Sequence, residues 1–251
     1  MIFAHGFGCD QAMWRYVAPD FEADHRVVLF DHVGCGGSDT AAFEPRKYST
    51  LDGYASDVLE IIDELGLRDV VFVGHSVSAM IGVLASVAKP DLFSALVLVG
   101  PSPRYIDDED YYGGFAAADI DDLLASLESN YLGWSHSMAP VIMDNPDRPE
   151  LANELAASFC RIDPAIAQQF AAVTFRSDNR DDLSKVNHPT LVVQSAQDAI
   201  ASTAVGEFVH RQIPGSELVV LDVSGHCPNL SAPGQTSAAI ANFIGGLSVA
   251  A

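Results

Sequence analysis

Three polar residues in this sequence follow apolar runs and could together activate a nucleophile. They are Ser76, Asp198 and His226, and the runs before them span residues 70–74, 190–194 and 217–222. A serine hydroxyl is a poor nucleophile until a base takes its proton, and that base must be oriented by a third group. The chain order serine, acid, histidine therefore predicts a catalytic triad of Ser76, Asp198 and His226.

The segment around Ser76 predicts the sharp turn that such a nucleophile needs. Four β-favouring residues run into Gly74, and small, helix-compatible residues follow Ser76. A serine at the apex of a strand–turn–helix unit projects above the carboxyl edge of a parallel sheet. The usual motif is G-x-S-x-G, but Ser78 stands here at the last position. The short motif alone would also fit an inert turn, whereas the later acid and histidine favour the nucleophile.

Other acids and histidines fit a triad less well. Asp222 lies at the end of its strand, too near His226 in sequence to reach the far ring nitrogen. No acid follows the strand predicted at 95–99, where the sequence is Gly-Pro-Ser. Because side chains alternate along a strand, His75 should point away from Ser76, and we predict a structural role for it. Surface or packing roles are predicted for His25, His32, His136, His188 and His210.

Acyl transfer also needs hydrogen-bond donors for the oxyanion that forms on the attacked carbonyl group. The first predicted donor is the backbone amide of Val77, directly after the nucleophile. The second is the amide of Phe7, in the loop at 5–8 that follows the first strand. Glycines on both sides of Phe7 let this backbone approach a substrate, and the Phe7 ring is predicted to form part of the pocket wall.

The elements that must position these residues alternate between strands and helices. Continuous apolar runs, as expected for strands covered on both faces, are separated by segments with apolar residues at helical spacing. This pattern predicts an α/β fold with a mostly parallel sheet flanked by helices. A glycine-rich loop at 34–39 fits no phosphate-binding motif, so we predict a turn. The predicted strands cover residues 1–4, 26–31, 69–74, 94–100, 190–194 and 217–221, with helices at 50–65, 77–88 and 234–245.

A long segment between two predicted strands interrupts the alternation. It contains four helical stretches, at 117–131, 134–143, 149–160 and 163–176. We predict a core formed by residues 1–102 and 189–251, with residues 103–188 inserted as a helical lid above the carboxyl edge. Apolar residues of the lid could pack within it or face a cavity above Ser76. The candidates for the cavity wall, together with Phe7, are Phe115, Leu124, Tyr131, Trp134, Met138, Phe159 and Phe175.

The composition limits the partners that this chain could bind. With 34 acidic and 13 basic residues, the formal charge is −21, which repels nucleic acid and anionic membranes and favours a neutral, small, apolar substrate. No run approaches ~18 apolar residues, so no membrane span is predicted. The four cysteines are widely spaced with no C-x-x-C pair, which argues against a zinc site or a disulfide framework and is compatible with a reducing cytoplasm, where we place the protein. No metal or other cofactor is predicted.

At the predicted turn and in several further segments, the sequence resembles one branch of the α/β-hydrolases. This branch comprises bacterial energy-stress regulators of the RsbQ type and the karrikin and strigolactone receptor hydrolases of plants. The resemblance covers nearly the whole chain, and Ser78 resembles the plant receptor form. The matching segments are residues 4–11, 29–34, 51–55, 73–82, 100–105, 111–115, 176–180 and 224–228.

The resemblance implies a function as well as a fold. It implies a four-helix, V-shaped lid over a narrow hydrophobic pocket, and slow hydrolysis of a small apolar ester, enol ether or lactone. It also implies a signalling role through a protein partner, which is a phosphatase for RsbQ-like proteins. Three functions stay open: a serine hydrolase, a ligand receptor with slow or incidental turnover, and a lyase or carbon–carbon hydrolase with the same triad.

The start of the sequence departs from this branch. Its members carry a pair of antiparallel strands before the strand predicted at 1–4, and these N-terminal antiparallel strands are missing here. We therefore expect that the natural protein begins upstream of Met1. The alternative is that the strand at 26–31 forms an exposed sheet edge and pairs with another chain.

Overall fold

The centre of the fold is a six-stranded sheet in which every neighbouring pair of strands is parallel. The computed structural model describes the backbone of residues 1–250 and the side chains of residues 1–247. The strands are β1 Ile2–Ala4, β2 Val28–Leu29, β3 Val70–His75, β4 Phe93–Val99, β5 Thr190–Gln197 and β6 Glu217–Ser224. Their order across the sheet is β2-β1-β3-β4-β5-β6, so all six carboxyl ends lie along one edge.

Helices cover both faces of this sheet. All six residues of β3 are buried, and because successive side chains of a strand point to opposite faces, both faces must be covered there. Helix α2 packs on β3 and β4, whereas α8 and α10 pack on β5 and β6. The helices are α1 Leu51–Glu64, α2 Val77–Ala88, α3 Ala117–Ser129, α4 Tyr131–Met143, α5 Pro149–Phe159, α6 Pro164–Phe175, α7 Arg180–Leu183, α8 Thr203–Gln212, α9 Pro228–Ser231 and α10 Pro233–Ala250.

The edge strand β2 is shorter than the sequence predicts. A strand covered on both faces was expected at 26–31, but only Val28–Leu29 is extended and paired, and both residues are half-buried. The chain leaves the sheet at Asp31, whose carboxylate accepts hydrogen bonds from the Gln11 backbone and side chain and from the Gly37 amide. These contacts hold Asp31 in the loop that follows β2.

The chain between β4 and β5 contains the four helices α3 to α6, which we call the helical layer. Their ends agree with the four predicted stretches within three residues. Local sequence explains the start of α6, where the Asp163 carboxylate accepts hydrogen bonds from the amides of Ala165 and Ile166, and Pro164 takes the first helical position. Among the described residues, no helix combines the length and the apolar character that crossing a membrane requires.

Candidate active site

Ser76 lies in a strained turn between β3 and α2. Its backbone angles are φ 56° and ψ −124°, a region that residues with a Cβ rarely adopt. The Ser76 amide donates a hydrogen bond to the Val99 carbonyl oxygen (2.8 Å), which ties the turn to the end of β4. A strained residue persists only where its surroundings over-determine it, and the buried strand β3 and helix α2 do so here.

Gly74 allows α2 to pack closely against the end of β3. A Cβ atom at this position would overlap the carbonyl oxygen of Ser78 and lie 2.8 Å from the Ala79 nitrogen. Both neighbours are backbone atoms of the helix that begins at Val77, so neither can rotate away. The elbow geometry therefore depends on the missing side chain of Gly74.

We expect Gly74→Ala to lower the free energy of unfolding by about 1–3 kcal/mol, the usual effect of an added methyl group in a packed site. Urea denaturation measures the loss. Gly234→Ala is the matched control, because a Cβ there meets no atom within 4 Å, and it should change stability by less than ~1 kcal/mol. Equal stability of the two variants would contradict the close approach at Gly74.

His226 forms a hydrogen bond with Ser76 from the end of β6. It follows β6, and its Nε2 atom lies 2.8 Å from the Ser76 hydroxyl oxygen. Its backbone amide donates to the carbonyl oxygen of Ile142 (2.8 Å) in α4, so the helical layer helps to hold it. His226 is 4% exposed and Ser76 is 6% exposed, which shields their hydrogen bond from water.

Asp198 orients His226 from the opposite side of the ring. It follows β5 directly, and its Oδ2 atom accepts a hydrogen bond from His226 Nδ1 at 2.7 Å. Its Oδ1 atom accepts from the amides of Ile200 (2.8 Å) and Ala201 (3.0 Å). Since a carboxylate can only accept, Nδ1 carries the ring proton and Nε2 is free to accept the proton of Ser76.

Burial and charge act in opposite directions on Asp198. Burial alone would raise the pKa of its carboxyl group, but the charge of His226 and hydrogen bonds from His226, Ala201 and Ile200 outweigh burial. The pKa of Asp198 therefore lies below its usual value, and the group is ionised at neutral pH. The adjacent His75 donates from Nε2 to the His226 carbonyl oxygen (2.8 Å), and burial lowers the pKa of His75 to about 3.

The amides of Phe7 and Val77 are the oxyanion donors predicted from the sequence. Neither donates a hydrogen bond within the part of the chain that the structure describes. The loop of Phe7 lies against the elbow, because a Cβ atom at Gly6 would be 2.6 Å from His75 Nδ1 and 3.1 Å from Ser76 Cβ. Two free amides beside a serine hydroxyl are the arrangement that binds an oxyanion. No group of three or more metal-ligating side chains could hold a metal ion in the described residues.

A narrow apolar cavity lies above Ser76, between the sheet edge and the helical layer. Its volume is about 30 Å³. Aromatic rings close around Phe7, which contacts Trp134, Phe159, Phe170 and Phe175 with ring centroids 5.6–6.2 Å apart. Of the residues predicted from the sequence, the cavity wall contains Phe7, Trp134, Met138, Phe159 and Phe175.

Phe115, Leu124 and Tyr131 are not among the residues that line this cavity. Leu124 lies in a surface groove between α3 and α6, while its neighbour Leu123, one helical step away, faces the cavity. The Tyr131 hydroxyl donates a hydrogen bond to the carbonyl oxygen of Phe159 (2.7 Å), so it contacts a wall residue without lining the cavity itself. Phe115 is half-buried and forms an isolated bridge with Ile106.

Several lining residues carry no clear signal in the sequence. They come from separate elements and are Cys9, Tyr105, Leu123, Ile142, Leu155, Thr174, Ile200 and Cys227. Two of them stand next to predicted site residues: Cys227 follows His226, and Cys9 lies in the turn after Phe7. Proximity to the predicted triad and oxyanion loop could have identified these two, whereas the others depend on how the helical layer docks.

Known proteins are similar to this chain over most of its length. The model of the family described as "alpha/beta hydrolase fold" matches residues 1–233. The karrikin insensitive 2 receptor CA of Petunia hybrida is 41% identical over 234 residues, which cover 93% of this chain and 87% of that receptor. A strigolactone esterase of Pisum sativum is 39% identical over 235 residues, which cover 93% of this chain and 88% of that esterase.

A solved structure extends the similarity to three dimensions. The structure of a hydrolase from Oleispira antarctica superposes with a TM-score of 0.94 and is 41% identical. The superposition covers 97% of this chain and 89% of that hydrolase. The shared architecture therefore includes both the sheet and the helical layer.

Proposed function

The chain belongs to the α/β-hydrolase fold family, and on this premise we propose that it is a serine hydrolase for a small hydrophobic ester, enol ether or lactone. The match over residues 1–233 confirms the family resemblance and the fold class predicted from the sequence. The observation that carries the proposal is the hydrogen-bonded chain from Ser76 through His226 to Asp198 at the floor of an apolar cavity.

In the first half of the reaction, the Ser76 hydroxyl oxygen attacks the carbonyl carbon while His226 Nε2 takes the hydroxyl proton. The carbonyl oxygen becomes an oxyanion and accepts hydrogen bonds from the Phe7 and Val77 amides. Asp198 stabilises the protonated ring of His226. Collapse of the tetrahedral intermediate breaks the bond to the leaving oxygen, which takes the proton from His226 and departs as an alcohol or enol.

Water completes the cycle. His226 Nε2 removes a proton from a water molecule as the water oxygen attacks the acyl carbon bound to Ser76. The same two amides hold the second oxyanion. When this intermediate collapses, the Ser76 oxygen leaves and recovers its proton from His226, and a carboxylic acid is released. A lactone follows the same steps but opens its ring and leaves as one product.

We further propose that residues 103–188 act as the lid and residues 1–102 and 189–251 as the core. The cavity wall supports this division, because it combines Phe7 and His226 with Trp134 and Met138 of the helical layer. The hydrogen bond from the His226 amide to the Ile142 carbonyl oxygen joins lid to core beside the reacting atoms.

The cavity size predicts an acyl-length preference. We expect p-nitrophenyl acetate to be hydrolysed with at least ~10-fold higher kcat/KM than the decanoate, because a long chain must displace packed aromatic rings. Met138→Ala removes part of the wall and should shift the preference toward longer acyl groups. Leu124→Ala is the matched control, since Leu124 belongs to the helical layer but lies outside the cavity. A preference for long chains in the unmodified protein would contradict this assignment.

A ligand receptor with slow turnover is the second candidate, favoured by the enclosure of the site. Ser76 and His226 are almost fully buried, so a ligand must open the lid to enter or leave. A single burst of product from a butenolide probe, with a large ligand-induced shift of the melting temperature, would favour the receptor. Fast multiple turnover favours the hydrolase. A protein partner such as a phosphatase and a cytoplasmic location stay predictions of the family resemblance and of the cysteine pattern.

A further inference from the structure

Ser78 joins the elbow to the loop that carries the Phe7 amide. It is fully buried at the second position of α2, where the usual motif has glycine. Its hydroxyl group donates a hydrogen bond to the His5 carbonyl oxygen (2.5 Å). The same hydroxyl oxygen lies 2.7 Å from Nε2 of His32, which follows β2. One side chain of the elbow helix thus contacts the chain after both β1 and β2.

The hydrogen-bond partners fix the protons of this network. The Ser78 hydroxyl has one proton, which goes to the His5 carbonyl oxygen, so His32 Nε2 must carry a proton and donate to Ser78. The backbone amide of His32 donates to His5 Nε2 (3.0 Å), which leaves the proton of His5 on Nδ1. That proton is donated to the Gly6 carbonyl oxygen at 2.8 Å. Each imidazole ring therefore has one consistent tautomer.

The Gly6 carbonyl group and the Phe7 amide belong to the same peptide unit. A trans peptide unit is planar, and its C=O and N–H bonds point in opposite directions. Hydrogen bonds that fix the Gly6 oxygen therefore also fix the direction of the Phe7 N–H. His5 Nδ1 and the Cys9 amide (3.2 Å) both donate to this oxygen. The buried histidine network thus fixes the orientation of the peptide unit that carries the Phe7 amide.

We propose that Ser78 and His32 are positioning residues that hold the Phe7 amide where the oxyanion forms, an inference that rests on the proposed hydrolase function. The Ser78 hydroxyl fixes the His5 carbonyl group and is itself held by the His32 side chain, while the His32 backbone amide fixes the His5 ring. The two peptide units before Phe7 are thereby held in place. Glycine at position 78 could make neither contact. The network couples the placement of the nucleophile to the placement of the oxyanion donor within one buried cluster.

The test is the effect of Ser78→Ala on transition-state binding rather than on stability. Loss of the hydroxyl should lower kcat for p-nitrophenyl acetate about 10-fold with KM within about 2-fold, because misplaced donors act only on the oxyanion. Inhibition by trifluoroacetone, which adds to Ser76 and forms an oxyanion, should weaken by the same factor. Equal kcat and equal inhibition in Ser78→Ala and the unmodified protein would overturn the inference.

Three further variants separate positioning from general packing. Ser86→Ala is the matched control, because Ser86 is buried in the same helix and donates to the Val83 carbonyl oxygen (2.9 Å) away from the site. It should keep the kcat of the unmodified protein. His32→Gln, which retains a donor near Nε2, should preserve more activity than His32→Leu. Equal kcat in these two His32 variants would also contradict the inference.

The outcome for the unmodified protein distinguishes this inference from the proposed function. If the unmodified protein does not hydrolyse esters and does not react with a fluorophosphonate, the hydrolase proposal itself fails. If it does both, but Ser78→Ala and Ser86→Ala have the same kcat, only the positioning role fails.

Discussion

Replacement of Ser76 by alanine should reduce kcat for p-nitrophenyl acetate by roughly 10⁴–10⁶-fold, the scale seen when a serine nucleophile is removed. The hydroxyl oxygen is the atom that forms the acyl bond, and among the described residues no other hydroxyl group lies within hydrogen-bond distance of His226 Nε2. Alanine retains a Cβ and so the same backbone strain at φ 56°, and the fold should persist. Stopped-flow and steady-state kinetics measure the loss.

Covalent labelling gives an independent readout of the same prediction. A fluorophosphonate should modify the unmodified protein at Ser76, as located by peptide mass spectrometry, and should not modify Ser76→Ala. Ser86→Ala is the control for removal of a buried hydroxyl and should be labelled at the normal rate. Labelling of Ser76→Ala at another residue would place the nucleophile elsewhere and reject the triad.

Replacement of Asp198 by asparagine should reduce kcat by roughly 10³–10⁴-fold with little change in KM. An asparagine amide can donate to the ring, so it favours the tautomer in which Nε2 carries the proton and cannot accept the proton of Ser76. The geometry of the site would be retained while its base is disabled. Asp222→Asn is the matched control, because Asp222 is an exposed carboxylate four residues before His226. A loss of kcat in Asp222→Asn equal to that in Asp198→Asn would contradict the assignment.

The same substitution has a pH-dependent effect on stability. The pKa of Asp198 is lower in the folded protein than in the unfolded chain, so the ionised group stabilises the fold at pH values above its unfolded pKa. This contribution is lost as the pH falls through the lowered folded pKa. The difference in unfolding free energy between the unmodified protein and Asp198→Asn should therefore be largest near neutral pH and shrink in acid, as urea denaturation at several pH values would show.

The meeting of the three site residues was predictable from the sequence, because parallel strands place their carboxyl ends at one edge of the sheet. Ser76, Asp198 and His226 each follow a strand with an apolar signature, and the structure brings them together at that edge. The four helices of the helical layer were also predictable, since local caps and prolines such as Asp163 and Pro164 set their ends. These features depend on short-range sequence patterns and on one rule of sheet geometry.

The tertiary structure decided what no local pattern encodes. Leu123 rather than Leu124 faces the cavity because the docking angle of α3 selects one of two adjacent apolar residues. The strand β2 is limited to Val28–Leu29, and the Asp31 carboxylate that follows it binds residues of two separate loops. Ser78 contacts His32 and His5 across 46 and 73 residues of chain. The sequence alone determined the fold class and the candidate triad, whereas side-chain partners far apart in sequence were fixed only when the sheet and its covering helices packed together.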